Sequence, residues 1–118
     1  MDLGWLDICL RVADIRASKA FYEDLGFHAV EGDDAEGWAV MVNGDARIGL
    51  FESQYMKTEF SLNFRGGNIA EIVDHLKGQG RVLQSAKTKP DGTGSAEIRD
   101  PDGYLIFFDS APGETKKT

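Results

Sequence analysis

The sequence predicts an α+β fold made of two βαβββ modules in an antiparallel-rich mixed sheet. Three observations carry that prediction. Two stretches of strand-like alternation, each running into a helix, stand about half a chain apart: Leu6-Asp7-Ile8-Cys9-Leu10-Arg11-Val12 and Glu59-Phe60-Ser61-Leu62-Asn63-Phe64. Each helix is followed by three further short strand-like runs. Gly-, Asn- and Asp-rich turns punctuate those runs at the spacing that hairpins require.

In the first half, Leu6, Ile8, Leu10 and Val12 alternate with Asp7, Cys9 and Arg11, the period of two that marks a strand with unlike faces. A helix from about 15 to 25 follows, with Ile15, Ser18, Phe21, Tyr22 and Leu25 on one side and Gly26 stopping it. Strands are expected near 27–31, 37–43 and 46–52, the last two joined by the hairpin signal Asn43-Gly44-Asp45. Residues 32–36, with Asp33 and Asp34, read as an exposed acidic loop.

The second half keeps the order. Asn68 and Glu71 form a helix-start signature before Ile69, Ile72, Val73 and Leu76, and Gly78 and Gly80 end that helix. Strands are expected near 81–85, 94–99 and 104–109. Residues 87–94, containing Pro90-Asp91-Gly92, read as a connecting loop, and Asp100-Pro101-Asp102-Gly103 as a tight turn. The chain is thus expected to be one domain, with module 1 over about 1–54, module 2 over about 57–110, and a polar tail over 111–118.

Composition narrows the function classes. The 118 residues carry a net charge of −7, and setting aside Lys116 and Lys117 in the tail leaves −9 for the rest. Such a field repels phosphate backbones and attracts cations, so nucleic acid is not an expected partner. No apolar run approaches the roughly 20 residues of a membrane span, and the N-terminus lacks a leader pattern. A membrane is therefore not expected as a partner either. The single Cys9 excludes an internal disulfide framework. A cytoplasmic protein is the expectation.

The apolar sets Ile8, Leu10, Val12 and Phe60, Leu62, Phe64 are expected under the two helices. The opposite sets, Asp7, Cys9, Arg11 and Glu59, Ser61, Asn63, Arg65, are too polar for a dry core. They form either a solvent-facing sheet or the wet wall of a concave site. A half-length duplication creates a cleft between its modules, and from Asp7 to Glu59 the spacing is 52 residues.

Two segments, Leu10-Arg11-Val12-Ala13-Asp14 with Phe21-Tyr22-Glu23-Asp24-Leu25-Gly26-Phe27, and Arg99-Asp100-Pro101-Asp102-Gly103-Tyr104-Leu105-Ile106-Phe107-Phe108, carry a family likeness. Through them the chain, from about Trp5 to Asp109, resembles the vicinal oxygen chelate superfamily of glyoxalases, bleomycin-resistance proteins and dioxygenases. The resemblance implies a half-open barrel, commonly in a homodimer. It also implies four metal-ligand positions, at Asp7, Gly49, Glu59 and Phe107. Glycine has no side chain and phenylalanine cannot coordinate, while a catalytic metal needs about three protein ligands. His28 and His75 are read as ordinary surface or half-buried histidines. No metal or other cofactor is expected.

The likeness is nearest to the metal-free, bleomycin-resistance-like branch, through Trp38-Ala39-Val40-Met41-Val42-Asn43-Gly44-Asp45-Ala46-Arg47-Ile48. In that branch an aromatic at the position of Trp38 lines the ligand groove. A second aromatic, in the loop before the seventh strand, has no counterpart in Lys89-Pro90-Asp91-Gly92-Thr93-Gly94; Tyr55 and Tyr104 are candidate substitutes. The expected function is metal-independent binding of a small cationic or aromatic molecule. The expected site comprises Asp7, Cys9, Arg11, Trp38, Arg47, Gly49, Phe51, Glu59, Ser61, Asn63, Phe107 and Asp109. In it Asp7 and Glu59 hold the cation, Trp38, Phe51 and Phe107 supply apolar walls, and Ser61 and Asn63 hydrogen-bond. The alternative is an enzyme of the same superfamily, a lyase or isomerase using Asp7 or Glu59 as general base.

Overall fold

In the computed structural model, which describes residues 1–114, the chain order is β1(Gly4–Arg11), α1(Ile15–Asp24), β2(His28–Asp33), β3(Trp38–Asn43), β4(Ala46–Phe51), β5(Phe60–Gly66), α2(Ile69–Gly78), β6(Ser85–Thr88), β7(Gly94–Arg99) and β8(Leu105–Ser110). Both halves are therefore β-α-β-β-β, as the repeat predicts. Lys116 and Lys117 lie outside the described residues. No helix among the described residues is long and apolar enough to cross a membrane.

Two compact units result, one spanning Asp7–Ser61 and the other uniting Met1–Leu6 with the chain from Leu62 onward. The first six residues thus pack with the second half rather than the first. Leu3 joins the core under α2, and a Cβ on Gly4 would stand 1.9 Å from the carbonyl oxygen of Arg65.

Within Asp7–Ser61 the strands run β2-β3-β4-β1, with β1 and β4 parallel and the other pairs antiparallel. Asp14 caps α1, its Oδ1 accepting from the amides of Arg16 at 3.0 Å and Ala17 at 3.4 Å. Glu52 Oε2 takes the Ile15 amide at 3.0 Å, so the end of β4 also holds the start of the helix. Ile15, Ala39, Met41 and Leu50 form the core, with Leu10, Val12, Tyr22, Phe27 and Ile48 packed around it.

The second unit repeats this arrangement as β5-β8-β7-β6. Asn68 Oδ1 accepts from the Glu71 amide at 3.1 Å at the head of α2. Ile69, Ile72, Val73, Ala96 and Phe108 form its core, ringed by Leu3, Phe64, Leu76, Leu83, Ile98 and Ile106.

Four expectations are corrected. Ile8 is exposed rather than covered, and so are Phe21 and Leu25. The reason is that α1 lies against β2, β3 and β4 and not over β1, which leaves Ile8 open. Gly32 and Asp33 belong to β2. The strand expected at 81–85 sits at Ser85–Thr88, so the connecting loop expected over 87–94 narrows to 89–93, the turn of a hairpin. There the Lys89 amide donates to the Thr93 carbonyl at 3.0 Å and the Gly92 amide to the Lys89 carbonyl at 2.9 Å. That tight turn fixes Thr88 opposite Gly94, and with it the register of β6 on β7.

Candidate functional site

The face of the first unit away from α1 is assembled by register. Gly49 on β4 is the partner of Cys9 on β1 and of Val40 on β3, and Phe51 is the partner of Trp38. Alternation then brings Asp7, Cys9, Trp38, Arg47, Gly49 and Phe51 to one side. This face is not plain solvent-exposed sheet, since Asp7 is 1% and Cys9 4% exposed. A carboxylate so buried needs a partner, and Arg47 Nε donates to Asp7 Oδ1 at 2.6 Å from a side chain 28% exposed. Asp7, expected as a cation holder, is instead half of an internal ion pair.

Gly49 gives way to its neighbours. A Cβ there would lie 2.7 Å from the Phe51 ring and 3.0 Å from Cys9 Sγ. The phenyl ring therefore lies over the bare glycine, and it runs parallel to the Trp38 indole, with centroids 6.1 Å apart and planes 2° apart. Tyr55 meets the other side of Phe51 edge-on at 6.1 Å. Its hydroxyl donates to Glu36 Oε2 at 3.3 Å. Desolvation, followed by the charge of Glu36 and then of Asp33 and Glu52, holds the Tyr55 phenol above its ordinary pKa. The result is a half-open aromatic wall, Trp38-Phe51-Tyr55, with acidic side chains at one edge. The sequence named Trp38 through the family resemblance and Tyr55 as one of two candidate substitutes for a missing second aromatic; Tyr55 sits in a turn, where no periodicity could choose it over Tyr104.

Arg11 is exposed and spends its guanidinium on the Lys57 carbonyl at 2.7 Å. Its amide donates to the Glu59 carbonyl at 2.9 Å. Glu59 is exposed and precedes β5. Its backbone lies four β1 residues from Asp7, about 13 Å along the strand. The two carboxylates expected to share a cation are thus not brought together. Ser61 is buried.

In the second unit Asn63 Nδ2 donates to Asp109 Oδ1 at 2.9 Å and to the Phe107 carbonyl at 3.3 Å. Phe107 is the strand partner of Asn63 and is half-buried. Arg65 Nη2 donates to Glu114 Oε2 at 2.8 Å.

The helix caps reset the repeat. Asp14 and Asn68 are 54 positions apart, and at that spacing Leu10 matches Phe64, both core-facing, and Arg11 matches Arg65. Asp7 then matches Ser61 rather than Glu59, and Gly49 and Phe107 remain equivalent as partners of Cys9 and Asn63. With the repeat so reset, the ligand positions that the resemblance implies hold an Arg-paired aspartate, a glycine, a serine and a phenylalanine. Among the described residues, no group of three or more His, Cys, Asp or Glu side chains could hold a metal ion. This donor set does not fit a catalytic metal.

Comparisons with known proteins agree with the fold. The NAD-dependent benzaldehyde dehydrogenase from Legionella pneumophila superposes with a TM-score of 0.73 at 18% identity, over 89% of this chain and 97% of that one. Methylmalonyl-CoA epimerase from Mycobacterium tuberculosis gives 0.66 at 23% identity, over 93% and 90%. A bleomycin-binding protein complexed with bleomycin is 26% identical over 87% and 94%, with a TM-score of 0.37. No curated protein matches the sequence. The Glyoxalase/Bleomycin resistance protein/Dioxygenase superfamily matches residues 4–108, so the chain belongs to that superfamily and has its α+β fold.

Proposed function

We propose that this superfamily member binds a planar, positively charged small molecule without a metal, and holds it rather than transforming it. The carrying observation is the parallel, half-buried Trp38–Phe51 pair, on the same sheet face as an Asp7–Arg47 ion pair in which the two charges offset each other. Flat aromatic surface favours a flat ligand, because stacking combines area burial with shape selection. The charge preference comes from the edge of that wall, where Glu36 accepts from Tyr55 and Asp33 and Glu52 add negative potential. The cation therefore sits at the Tyr55 edge, not at Asp7 or Glu59. A homodimer is the form that the family resemblance suggests, and light scattering checks the assembly.

Proflavine, a planar cation, and acridone, its neutral counterpart, test the reading by fluorescence titration at low salt. Proflavine binds more tightly, Glu36→Gln weakens it about threefold to tenfold, and added salt does the same. Trp38→Leu removes most of the binding. Equal affinity for the two dyes, or no binding of either, would overturn the proposal.

A further inference from the structure

We propose a second ligand site in the other half of the chain: Arg65 and Trp5 form a receptor for the carboxylate of an aromatic acid, and the turn Ala111–Glu114 is a latch that fills it with a carboxylate of its own. The turn is built to be stiff. Pro112 presets its first corner, Gly113 adopts φ +86° at the second, and the Glu114 amide donates to the Ala111 carbonyl at 2.9 Å. These are the features of a type II turn. They fold Glu114 back so that Oε2 accepts from Arg65 Nη2 at 2.8 Å while Oε1 accepts from the Ala111 amide at 2.9 Å.

Trp5 joins this pair through a missing side chain. Gly66 follows Arg65 at φ +94°, and a Cβ there would stand 2.6 Å from the Trp5 indole and 2.8 Å from the Glu114 carbonyl oxygen. The indole and the backbone of the latch therefore meet over Gly66, the residue after Arg65. The Arg65 side chain is 16% exposed and that of Glu114 31%, whereas Trp5 leaves 46% of its surface open. A largely open indole thus packs against the latch, one residue along the strand from the Arg65–Glu114 pair.

Glu114 is an imperfect occupant. One of its oxygens is committed to the Ala111 amide, so its carboxylate divides between Arg65 and its own turn. A free carboxylate can engage a guanidinium with both oxygens, the stronger arrangement, while its ring stacks on the indole. The Arg65–Glu114 ion pair is partly exposed, and a pair of that kind is worth little on its own. A closed latch lowers apparent affinity by the fraction of molecules it leaves open. Together these put the closed form ahead by only about twofold to fivefold.

Calorimetric titration with benzoate, with benzamide as the uncharged control, tests the site. Glu114→Gln should tighten benzoate binding about threefold to sixfold and leave benzamide unchanged. Arg65→Gln should abolish the benzoate heat, and Trp5→Leu should weaken it. Equal benzoate affinity in wild type and Glu114→Gln, or benzamide binding as tightly as benzoate, would overturn the proposal, as would no benzoate heat in either protein. Should Glu114→Gln lose its near-UV circular dichroism, the wild-type chain decides. Saturating benzoate must then speed hydrogen exchange at the Glu114 amide, and unchanged protection there refutes the latch. This site rests on the second half alone, so its failure leaves the Trp38–Phe51 reading standing.

Discussion

Replacing Arg47 with Met removes the guanidinium from Asp7 and keeps most of the aliphatic stem. Asp7 is 1% exposed and the pair is 2.6 Å long, so the carboxylate would lose a close partner in a place that water barely reaches. Breaking a buried pair from one side costs about 3–5 kcal/mol, because the remaining charge is left uncompensated. The Arg47 side chain is 28% exposed, which screens part of the interaction and favours the lower end, about 3 kcal/mol. For a chain of this length, unfolding entropy is about 250 cal/mol/K, so the melting temperature should fall by about 12 °C. The urea midpoint should fall by about 1.5 M.

The double variant Asp7→Leu with Arg47→Met separates a lost contact from a stranded charge. Replacing both members of a buried ion pair by apolar groups is often neutral or stabilising, so the second substitution should recover more than half of the loss. Urea unfolding of the wild type, Arg47→Met and the double variant supplies the cycle. If Arg47→Met costs less than about 1 kcal/mol, or if the double variant is less stable than Arg47→Met alone, the Asp7–Arg47 pair is not the internal neutralisation argued above. Asp7 would then regain its standing as a cation holder.

Two further outcomes follow from named contacts. Gly49→Ala places a methyl 2.7 Å from the Phe51 ring, forcing that ring off Trp38; overpacking costs about 1–3 kcal/mol, and proflavine affinity should fall with it, both read by parallel urea and dye titrations. Asp91 Oδ1 accepts from Thr93 Oγ1 at 2.6 Å and from the Thr93 amide at 3.0 Å, which holds its carboxyl below the usual 3.8. A lowered folded pKa gives stability that is present above the unfolded value and lost as pH falls through the folded one. The stability gap between wild type and Asp91→Asn should therefore be open at neutral pH and close as the pH falls below the usual carboxylate range; a gap independent of pH would refute the account.

The βαβββ repeat, the Asn68 cap and the core stripe of α2 were all legible in the sequence, because each rests on local periodicity or a short signature. The pairing of the halves was not. A strand's in–out pattern repeats every two residues, so matching Asp7 to Glu59 rather than Ser61, a slip of two, preserves every inward and outward assignment. Only features outside the strands fix the register, and the caps at Asp14 and Asn68 do so. The fate of Asp7 was hidden for a different reason: its partner is 40 positions away, and nothing local in Ala46-Arg47-Ile48 announces an ion pair. Tyr55 and Glu114 belong to turns, where placement depends on what the turn packs against.

The corrected register also explains why the two halves agree in shape where they differ in residue. Gly49 and Phe107 occupy equivalent points, each opposite the matching residue of β1 or β5. At Gly49 the Phe51 ring moves into the space that a side chain would fill. At Phe107 the phenyl side chain belongs to the position itself. In each half a phenyl ring is thus associated with the place where the superfamily resemblance implies a carboxylate ligand. A carboxylate at that point would need a cation to offset its desolvation, whereas a ring needs none and offers apolar area. Restoring a metal would then require replacing aromatic surface as well as adding donors, since Gly49→Glu would drive its side chain into Phe51 before it reached any ion. At Gly49 the missing side chain is also what lets the Phe51 ring lie parallel to Trp38.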